Sequence, residues 1–202
     1  MNRDSNPGNQ IDNDESLIER IMSGDKLAFD ILVPRYKDKI FNLCYRFSGD
    51  YTEADDLTQE TFIKVYLSVK HFRFESSFST WIYRIAINVC KNRINSLPYR
   101  FKRLTNSLSG SKDTEREGLM NDVADNSPAP DCEFEEKERK KIIQKAINKL
   151  PKDQMKMIIL RDIEGLSYEE IAGITRCNLG TVKSKLARAR FSLKEKLKGL
   201  IR

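Results

Sequence analysis

The sequence predicts an all-α protein made of two small helical domains that a flexible linker joins. Apolar residues recur at the i, i+3, i+4 spacing of amphipathic helices, and no segment shows the alternation of a half-buried strand. Only 9 glycines and 6 prolines occur among the 202 residues, and most of them sit at plausible breaks between these periodic segments. Helices are predicted over residues 15–23, 26–48, 52–70, 80–96, 136–150, 152–163, 168–174 and 179–200.

Charge divides the chain into blocks. Residues 26–103 carry a net charge of +6 and residues 139–202 carry +11, whereas residues 104–138 carry −7. The acidic block is rich in Ser, Asp, Asn, Gly and Pro and has too few large apolar residues to form a core. We therefore predict a disordered tail over 1–13, helical domains over 14–97 and 137–202, and a flexible acidic linker over 98–136. The basic blocks favour nucleic acid as a partner, although a solvated helical surface would also explain them.

Composition excludes several classes of protein. No apolar run approaches the roughly 20 residues of a membrane-spanning helix, and the polar N-terminal segment lacks the apolar core of a signal peptide. The four cysteines are far apart and His71 is the only histidine, which argues against a zinc site, a disulfide framework or a catalytic triad. The chain has no G-x-x-x-x-G-K-[ST] phosphate loop. We predict a cytoplasmic protein that is not an enzyme, needs no cofactor or metal and does not insert into a membrane.

The second domain carries the pattern of a helix-turn-helix. Ser167 and Glu170 have the spacing of a capping box, and Gly165 can end the preceding helix with a positive φ. The turn T-R-C-N then leads to Asn178, a good N-cap for a long basic helix. Such a helix enters the major groove with its N-terminal residues first, whereas an ordinary helical hairpin with a basic face is the alternative. The candidate DNA-contacting residues are Asn178, Gly180, Thr181, Lys183, Ser184, Lys185 and Arg188.

The opposite face of this long helix is predicted to pack against the core. Leu179, Val182 and Leu186 share that face by their i, i+3 and i+7 spacing.

A polar and acidic face marks the predicted helix over 52–70. It lies opposite an apolar stripe and can dock onto a basic partner helix, although a solvated face is the alternative. Its candidate partner-binding residues are Asp56, Gln59, Glu60 and Ile63.

Aromatic and basic residues alternate in the segment K-H-F-R-F-E-S-S-F-S-T-W-I-Y-R at 70–84. Exposed bases of single-stranded nucleic acid stack on flat side chains, at about 1–3 kcal/mol each. About half of the rings are expected in the core, Phe78 and Trp81 foremost, and Thr80 is predicted to cap the helix that follows. The candidate residues for a single strand are His71, Phe72, Arg73, Phe74, Ser79, Trp81, Tyr83, Arg84, Asn88 and Lys91.

With these motifs in order, the chain resembles the extracytoplasmic-function, or group IV, sigma factors of the sigma-70 family of bacterial RNA polymerase. D-D-L-T-Q-E-T-F-I-K-V-Y at 55–66 and F-S-T-W-I-Y-R-I-A-I-N-V-C-K-N at 78–92 resemble sigma region 2. L-P-K-D-Q at 150–154, L-S-Y-E-E-I-A at 166–172 and G-T-V-K-S-K-L-A-R-A-R at 180–190 resemble region 4. The family often has proline where Asn178 stands.

The resemblance implies a role for each candidate surface. The face with Asp56 would bind the clamp helices of the polymerase β′ subunit, and region 4 would also contact the β flap. The loop over 71–79 would capture a flipped base of the −10 element, and the helix with Arg84, Asn88 and Lys91 would hold its neighbours. The helix-turn-helix would read the −35 element. An anti-sigma factor would hold the protein inactive, in some cases at the membrane.

The alternative is a helix-turn-helix regulator whose N-terminal domain senses a ligand or dimerises. It leaves the acidic face and the aromatic segment unexplained.

The length of the predicted linker indicates whether it can set the distance between the two DNA-binding domains. The −35 and −10 elements lie about two helical turns, or roughly 70 Å, apart. A free coil of the 39 linker residues would span only roughly 35 Å, so the linker does not set this distance. The polymerase core is the natural scaffold, and the free protein is expected to bind promoter duplex poorly.

Overall fold

The computed structural model describes residues 13–96 and 130–200. These ranges contain eight α-helices and no β-strand, which confirms the predicted all-α class. The predicted tail before residue 13 and the predicted linker over 98–129 lie outside them. The helices are α1 (Asp14–Met22), α2 (Lys26–Ser48), α3 (Tyr51–Ser68), α4 (Phe78–Asn95), α5 (Pro130–Asn148), α6 (Lys152–Ile158), α7 (Tyr168–Thr175) and α8 (Leu179–Lys198).

The first domain is built on α2, α3 and α4, with α1 packed against α2. Each helix begins at a polar cap: Asp50, for example, accepts a hydrogen bond from the Glu53 amide at 2.7 Å at the start of α3. α3 ends in a 3₁₀ turn over Val69–His71 that leads into the loop before α4. The apolar core of the first domain includes Leu32, Ile40, Leu43, Leu57 and Ile82, which are almost completely buried.

The predicted start of α4 is wrong by two residues. α4 begins at Phe78, and Ser77 rather than Thr80 is its N-cap, since the Ser77 Oγ accepts from the Thr80 amide at 3.2 Å. The helix starts earlier because Phe78 is then buried in the core, where the centroid of its ring lies 5.2 Å from that of Tyr36. Thr80 is buried and its hydroxyl oxygen accepts from the Ser77 hydroxyl.

The second domain is a helix bundle in which α5, α6 and α7 all pack against α8. α5 begins at Pro130, ahead of the predicted helix start at residue 136, so residues 130–136 of the predicted linker are helical. Proline is favoured at the first position of a helix because its missing N–H would have no partner there. The predicted helix over 152–163 consists of α6 and a π-helical continuation over Ile159–Ile163.

The helix-turn-helix forms with the predicted caps. Ser167 and Glu170 make both hydrogen bonds of a capping box, and the Asn178 side chain accepts from the Thr181 amide at 2.7 Å. Gly165 has the predicted positive φ, of +70°. In the turn, Arg176 adopts the left-handed conformation at φ +54°, a position where glycine is easier to accommodate.

One predicted core position of α8 is wrong. Val182 and Leu186 are buried, but Leu179 is 42% exposed. Leu179 is the first residue of the helix, directly after the turn, and it lacks the cover that buries Val182 and Leu186 further along. Ala189 extends the buried stripe one turn further instead.

The two domains are packed together, with α4 of the first against α7 of the second. Within the described ranges, no helix has the length and apolar character needed to cross a lipid bilayer.

Candidate nucleic-acid interface

The predicted docking face of α3 is present on the surface. Ala54, Leu57 and Val65 are buried on the inner side of the helix, as the apolar stripe predicts. This orients the opposite face outward: Asp56 and Gln59 are exposed, and Ile63 is 59% exposed.

Two further apolar side chains widen this face. Tyr66 is 42% exposed and Leu67 is 69% exposed, and both lie one turn along α3 from Ile63. The sequence interpretation did not single them out, although the i, i+3, i+4 spacing from Ile63 was the available signal. Together Asp56, Gln59, Ile63, Tyr66 and Leu67 form a surface that combines a carboxylate, an amide and solvent-exposed apolar groups.

Glu60 belongs to this face but is held by neighbouring cations. One carboxylate oxygen lies 2.8 Å from the Lys64 Nζ, and the other lies 3.6 Å from a guanidinium nitrogen of Arg93. Arg93 also pairs with the nearly buried Glu53 at 3.4 Å. Because Arg93 is on α4 and both glutamates are on α3, these ion pairs fix the two helices relative to each other.

A groove of about 410 Å³ runs between α3 and α4. Of the predicted site residues, the structure brings His71 and Asn88 together at this groove. The other lining residues, which the sequence interpretation did not single out, are Lys64, Leu67, Ser68, Ile85 and Val89. A cation, an imidazole and an amide therefore surround a largely apolar floor, which suits a planar base with polar edges.

The loop over residues 72–77 is anchored by its first ring. Phe72 is buried, with its ring 4.8 Å from that of Phe74, 6.0 Å from Phe78 and 5.2 Å from Trp81. Phe74 is 42% exposed at a positive φ of 55°, and Arg73 is also exposed. Phe78 is buried as predicted, whereas Trp81 is only partly buried. In this arrangement Phe74 and Trp81 are the rings that reach the surface, and Phe72 supports them from below.

The candidate residues of α4 fall into two groups, one exposed to solvent and one in contact with the second domain. Asn88 and Lys91 are exposed, and Ser79 is partly exposed beside the loop. Tyr83 is buried, and its hydroxyl donates to Glu164 at 2.9 Å; burial raises the pKa of Tyr83, and the neighbouring carboxylate raises it further. Arg84 donates from Nη2 to the Gly173 carbonyl oxygen at 3.0 Å. Tyr83 and Arg84 thus face the second domain rather than solvent.

The helix-turn-helix places its predicted contacts on the first half of α8. Asn178, Gly180, Lys183, Ser184 and Arg188 are exposed. Thr181 is partly buried, and Lys185 is partly buried because its ammonium lies 3.7 Å from the Cys177 sulfur in the turn.

An ion pair missed by the sequence interpretation joins this helix to the π-helical segment. Arg190 of α8 donates from Nε to Asp162 at 3.1 Å, at the end of the π-helical segment. The hydrogen bond to this carboxylate raises the pKa of Arg190.

The chain is similar to known proteins in both of its domains. Residues 32–97 match the family model described as Sigma-70 region 2, and residues 140–193 match Sigma-70, region 4. The RNA polymerase sigma-H factor of Pseudomonas aeruginosa is 40% identical over 192 residues, which cover 94% of this chain and 96% of that protein. The ECF RNA polymerase sigma-E factor of Haemophilus influenzae is 39% identical over 188 residues, covering 93% and 97%.

The chain belongs to the extracytoplasmic-function sigma factors of the sigma-70 family. Every predicted site residue lies inside one of the two matched ranges: the α3 face, the loop and α4 in region 2, and the α8 residues in region 4.

Two solved structures share the fold of this sigma factor. CnrH, in complex with the cytosolic domain of CnrY, has a TM-score of 0.62 at 22% identity and covers 91% of this chain and 96% of its own. The sigma factor RpoE of Bartonella quintana, in complex with the anti-sigma factor NepR, has a TM-score of 0.57 at 25% identity and covers 84% and 96%.

Proposed function

We propose that this sigma factor docks on core RNA polymerase through the face of α3, reads the −35 element with α8 and captures single-stranded −10 bases at the α3/α4 groove. The groove carries the proposal, because it offers an apolar floor with cationic, imidazole and amide groups around it. A surface of that kind binds an unpaired base better than it binds a closed duplex, whose bases are stacked and covered.

Docking on the polymerase is assigned to the α3 face by its composition. Ile63 and Leu67 are large apolar side chains left in solvent on a helix whose opposite side is fully packed. Exposed apolar groups beside a carboxylate are typical of a surface that a partner covers. We assign this face to the clamp helices of the β′ subunit, and region 4 to the β flap.

Promoter opening is proposed to be driven by binding alone. Unstacking and flipping a base costs a few kcal/mol, and stacking on an aromatic ring returns about 1–3 kcal/mol per base. Phe74 and Trp81 provide ring surface, His71 and Asn88 provide groups for a base edge, and Lys91 lies further along α4 for the backbone. The sigma factor thus traps bases as they emerge, without nucleotide hydrolysis of its own.

Recognition of the −35 element is assigned to the N-terminal half of α8. Asn178 and Gly180 stand at the end that would enter the major groove first, followed by Lys183, Ser184 and Arg188 on the exposed face. Lysine and arginine there suit phosphates and the O6/N7 edge of guanine.

An anti-sigma factor is proposed as the regulatory partner, acting in the cytoplasm or from the membrane. The support is the solved RpoE of Bartonella quintana, which was determined in complex with the anti-sigma factor NepR.

Transcription by purified core polymerase with this protein as the sole addition tests the function. Promoter-specific initiation is expected, and its absence on every member of a randomised promoter library would refute the proposal. The groove is tested in the same assay by Asn88→Ala, with Asn42→Ala, an exposed amide on α2, as the matched control. Asn88→Ala is expected to reduce permanganate reactivity of the −10 bubble, and Asn42→Ala to leave it unchanged.

A further inference from the structure

The cap at the start of α8 leaves half of the Asn178 amide group without a partner in the protein. Asn178 Oδ1 accepts a hydrogen bond from the Thr181 amide at 2.7 Å, and only the oxygen of a side-chain amide can accept from an N–H group. This bond fixes the orientation of the group and leaves Nδ2, with its two hydrogens, on the other side. Asn178 is exposed, and among residues 13–96 and 130–200 no atom accepts from its Nδ2.

Two neighbouring polar side chains of α8 already have partners inside the domain. The Ser184 hydroxyl donates to the Thr181 carbonyl oxygen at 3.0 Å. The Lys185 ammonium lies 3.7 Å from the Cys177 sulfur. The amide donors of Asn178 differ from these groups, because a ligand can accept from them without displacing a contact inside the protein.

Gly180 leaves space for a ligand beside this amide group. A β-carbon added at Gly180 would lie 3.7 Å from the Asn178 Oδ1, an ordinary contact distance, so alanine would fit there. The backbone of Gly180 is not at a positive φ, and glycine is less favourable than alanine inside a helix. Neither packing nor backbone conformation therefore requires glycine at this position. Its missing side chain allows DNA to approach the start of α8 closely enough for a short side chain to reach a base edge.

The chemistry of this donor decides which bases it can recognise. In the major groove guanine presents the N7 and O6 acceptors and thymine presents O4, whereas cytosine presents only its N4 amino group, a donor. Adenine presents one acceptor and one donor, and an asparagine pairs with both when its oxygen and nitrogen are free. Since the oxygen of Asn178 is held by the cap, its side chain can only donate. A base edge that offers only acceptors is therefore the best partner, and cytosine is the worst.

We propose that Asn178 is a specificity-determining residue that donates to one base of the −35 element, favouring guanine or thymine and rejecting cytosine at that position. Proline, which the family often has at this position, carries no side-chain donor, so this selection is not available to a relative with proline there. The inference rests on the proposed function, because it names the class of base that α8 selects in the −35 element.

The substitution Asn178→Asp tests the donor while keeping the cap. Aspartate is as good an N-cap as asparagine, so one carboxylate oxygen still accepts from the Thr181 amide. The other carboxylate oxygen replaces the amide donor by an acceptor. The holoenzyme of each protein is mixed with a promoter library randomised across the −35 element, and the bound promoters are sequenced.

The wild-type holoenzyme is expected to favour guanine or thymine over cytosine at one −35 position by roughly fivefold, which is the effect of one neutral hydrogen bond. Asn178→Asp is expected to reverse this preference toward cytosine at the same position and to leave the other positions unchanged. Ratios between library members are compared, because the added negative charge weakens binding to every promoter.

Two further variants separate the donor from the fold and from the charge. Asn178→Gly removes the donor with little loss of helix stability, and it should bring the four bases at that position close to parity. Asn42→Asp makes the same charge change at an exposed amide of α2 and should keep the wild-type preferences. Thermal unfolding followed by circular dichroism checks that each variant is folded.

An unchanged preference in both Asn178→Asp and Asn178→Gly would refute the inference. A weakening that is equal on all library members would refute it too, since that result makes Asn178 a phosphate contact. A wild-type holoenzyme without any base preference across the −35 element would instead refute the part of the proposed function that assigns −35 recognition to α8.

Discussion

The two proposed recognition surfaces of this sigma factor are built in different ways. In region 4, the proposed DNA contacts follow one another within one helix, and the cap that begins the helix is one of them. In region 2, the candidate site is assembled from α3, the loop after it and α4, with residues as distant in sequence as Lys64 and Asn88 lining one groove. A local motif is robust to small shifts in packing, whereas an assembled groove depends on how two helices are held together.

Replacing one exposed carboxylate of the docking face on α3 is expected to have the largest effect. Asp56→Arg should abolish copurification with core polymerase, because it reverses the charge of the α3 face without touching the core. Circular dichroism should show unchanged helix content. Asp38→Arg, an exposed aspartate on α2, is the control and should retain binding. Undiminished copurification of Asp56→Arg would remove the assignment of this face.

The buried Phe72 ring, which supports the loop before α4, can be compared with an exposed ring on the protein surface. Phe72→Ala should lower the free energy of unfolding by about 3–5 kcal/mol, because it leaves a cavity among the rings of the first domain. Phe191→Ala, on the 69% exposed ring of α8, should change it by less than about 0.5 kcal/mol. Urea titration measures both, and equal effects would show that Phe72 does not anchor the loop.

Base recognition by the helix-turn-helix is tested at Arg188. Arg188→Ala should weaken promoter binding by the holoenzyme by about 1–3 kcal/mol if the guanidinium reads a base. Lys194→Ala, exposed further along the same helix, should weaken it less. Binding is compared on promoters with intact and scrambled −35 elements. An equal loss on both would make Arg188 a phosphate contact.

The caps of the two regions allow the finest comparison. Asn178→Ala and Ser77→Ala each remove a side chain that accepts an amide hydrogen bond at a helix start, and each should cost about 1 kcal/mol of unfolding free energy. The assembled site predicts that Ser77→Ala also disturbs −10 melting, because Ser77 ends the loop. The footprints are compared at holoenzyme concentrations that saturate the promoter for both variants, so that a lost −35 contact at Asn178 does not lower occupancy. Matched footprints under these conditions would contradict that difference.

Sequence reasoning succeeded where the determinants are local. The capping box at Ser167 and the cap at Asn178 require only residues three positions apart, and both formed as predicted. It failed at Thr80, because the helix start there is decided by the burial of Phe78 in the core. It also failed at Leu179, whose periodicity is correct but which stands exposed at the first position of α8.

The sequence alone determined the helices, the division into two basic regions and the polar character of both proposed recognition surfaces, since charge and periodicity act over a few residues. Only the tertiary structure decided that Lys64, Leu67 and Ser68 join His71 and Asn88 at one groove, and that Tyr83 and Arg84 face α7. Those facts depend on how helices far apart in the chain come together to exclude water, and no local pattern specifies that geometry.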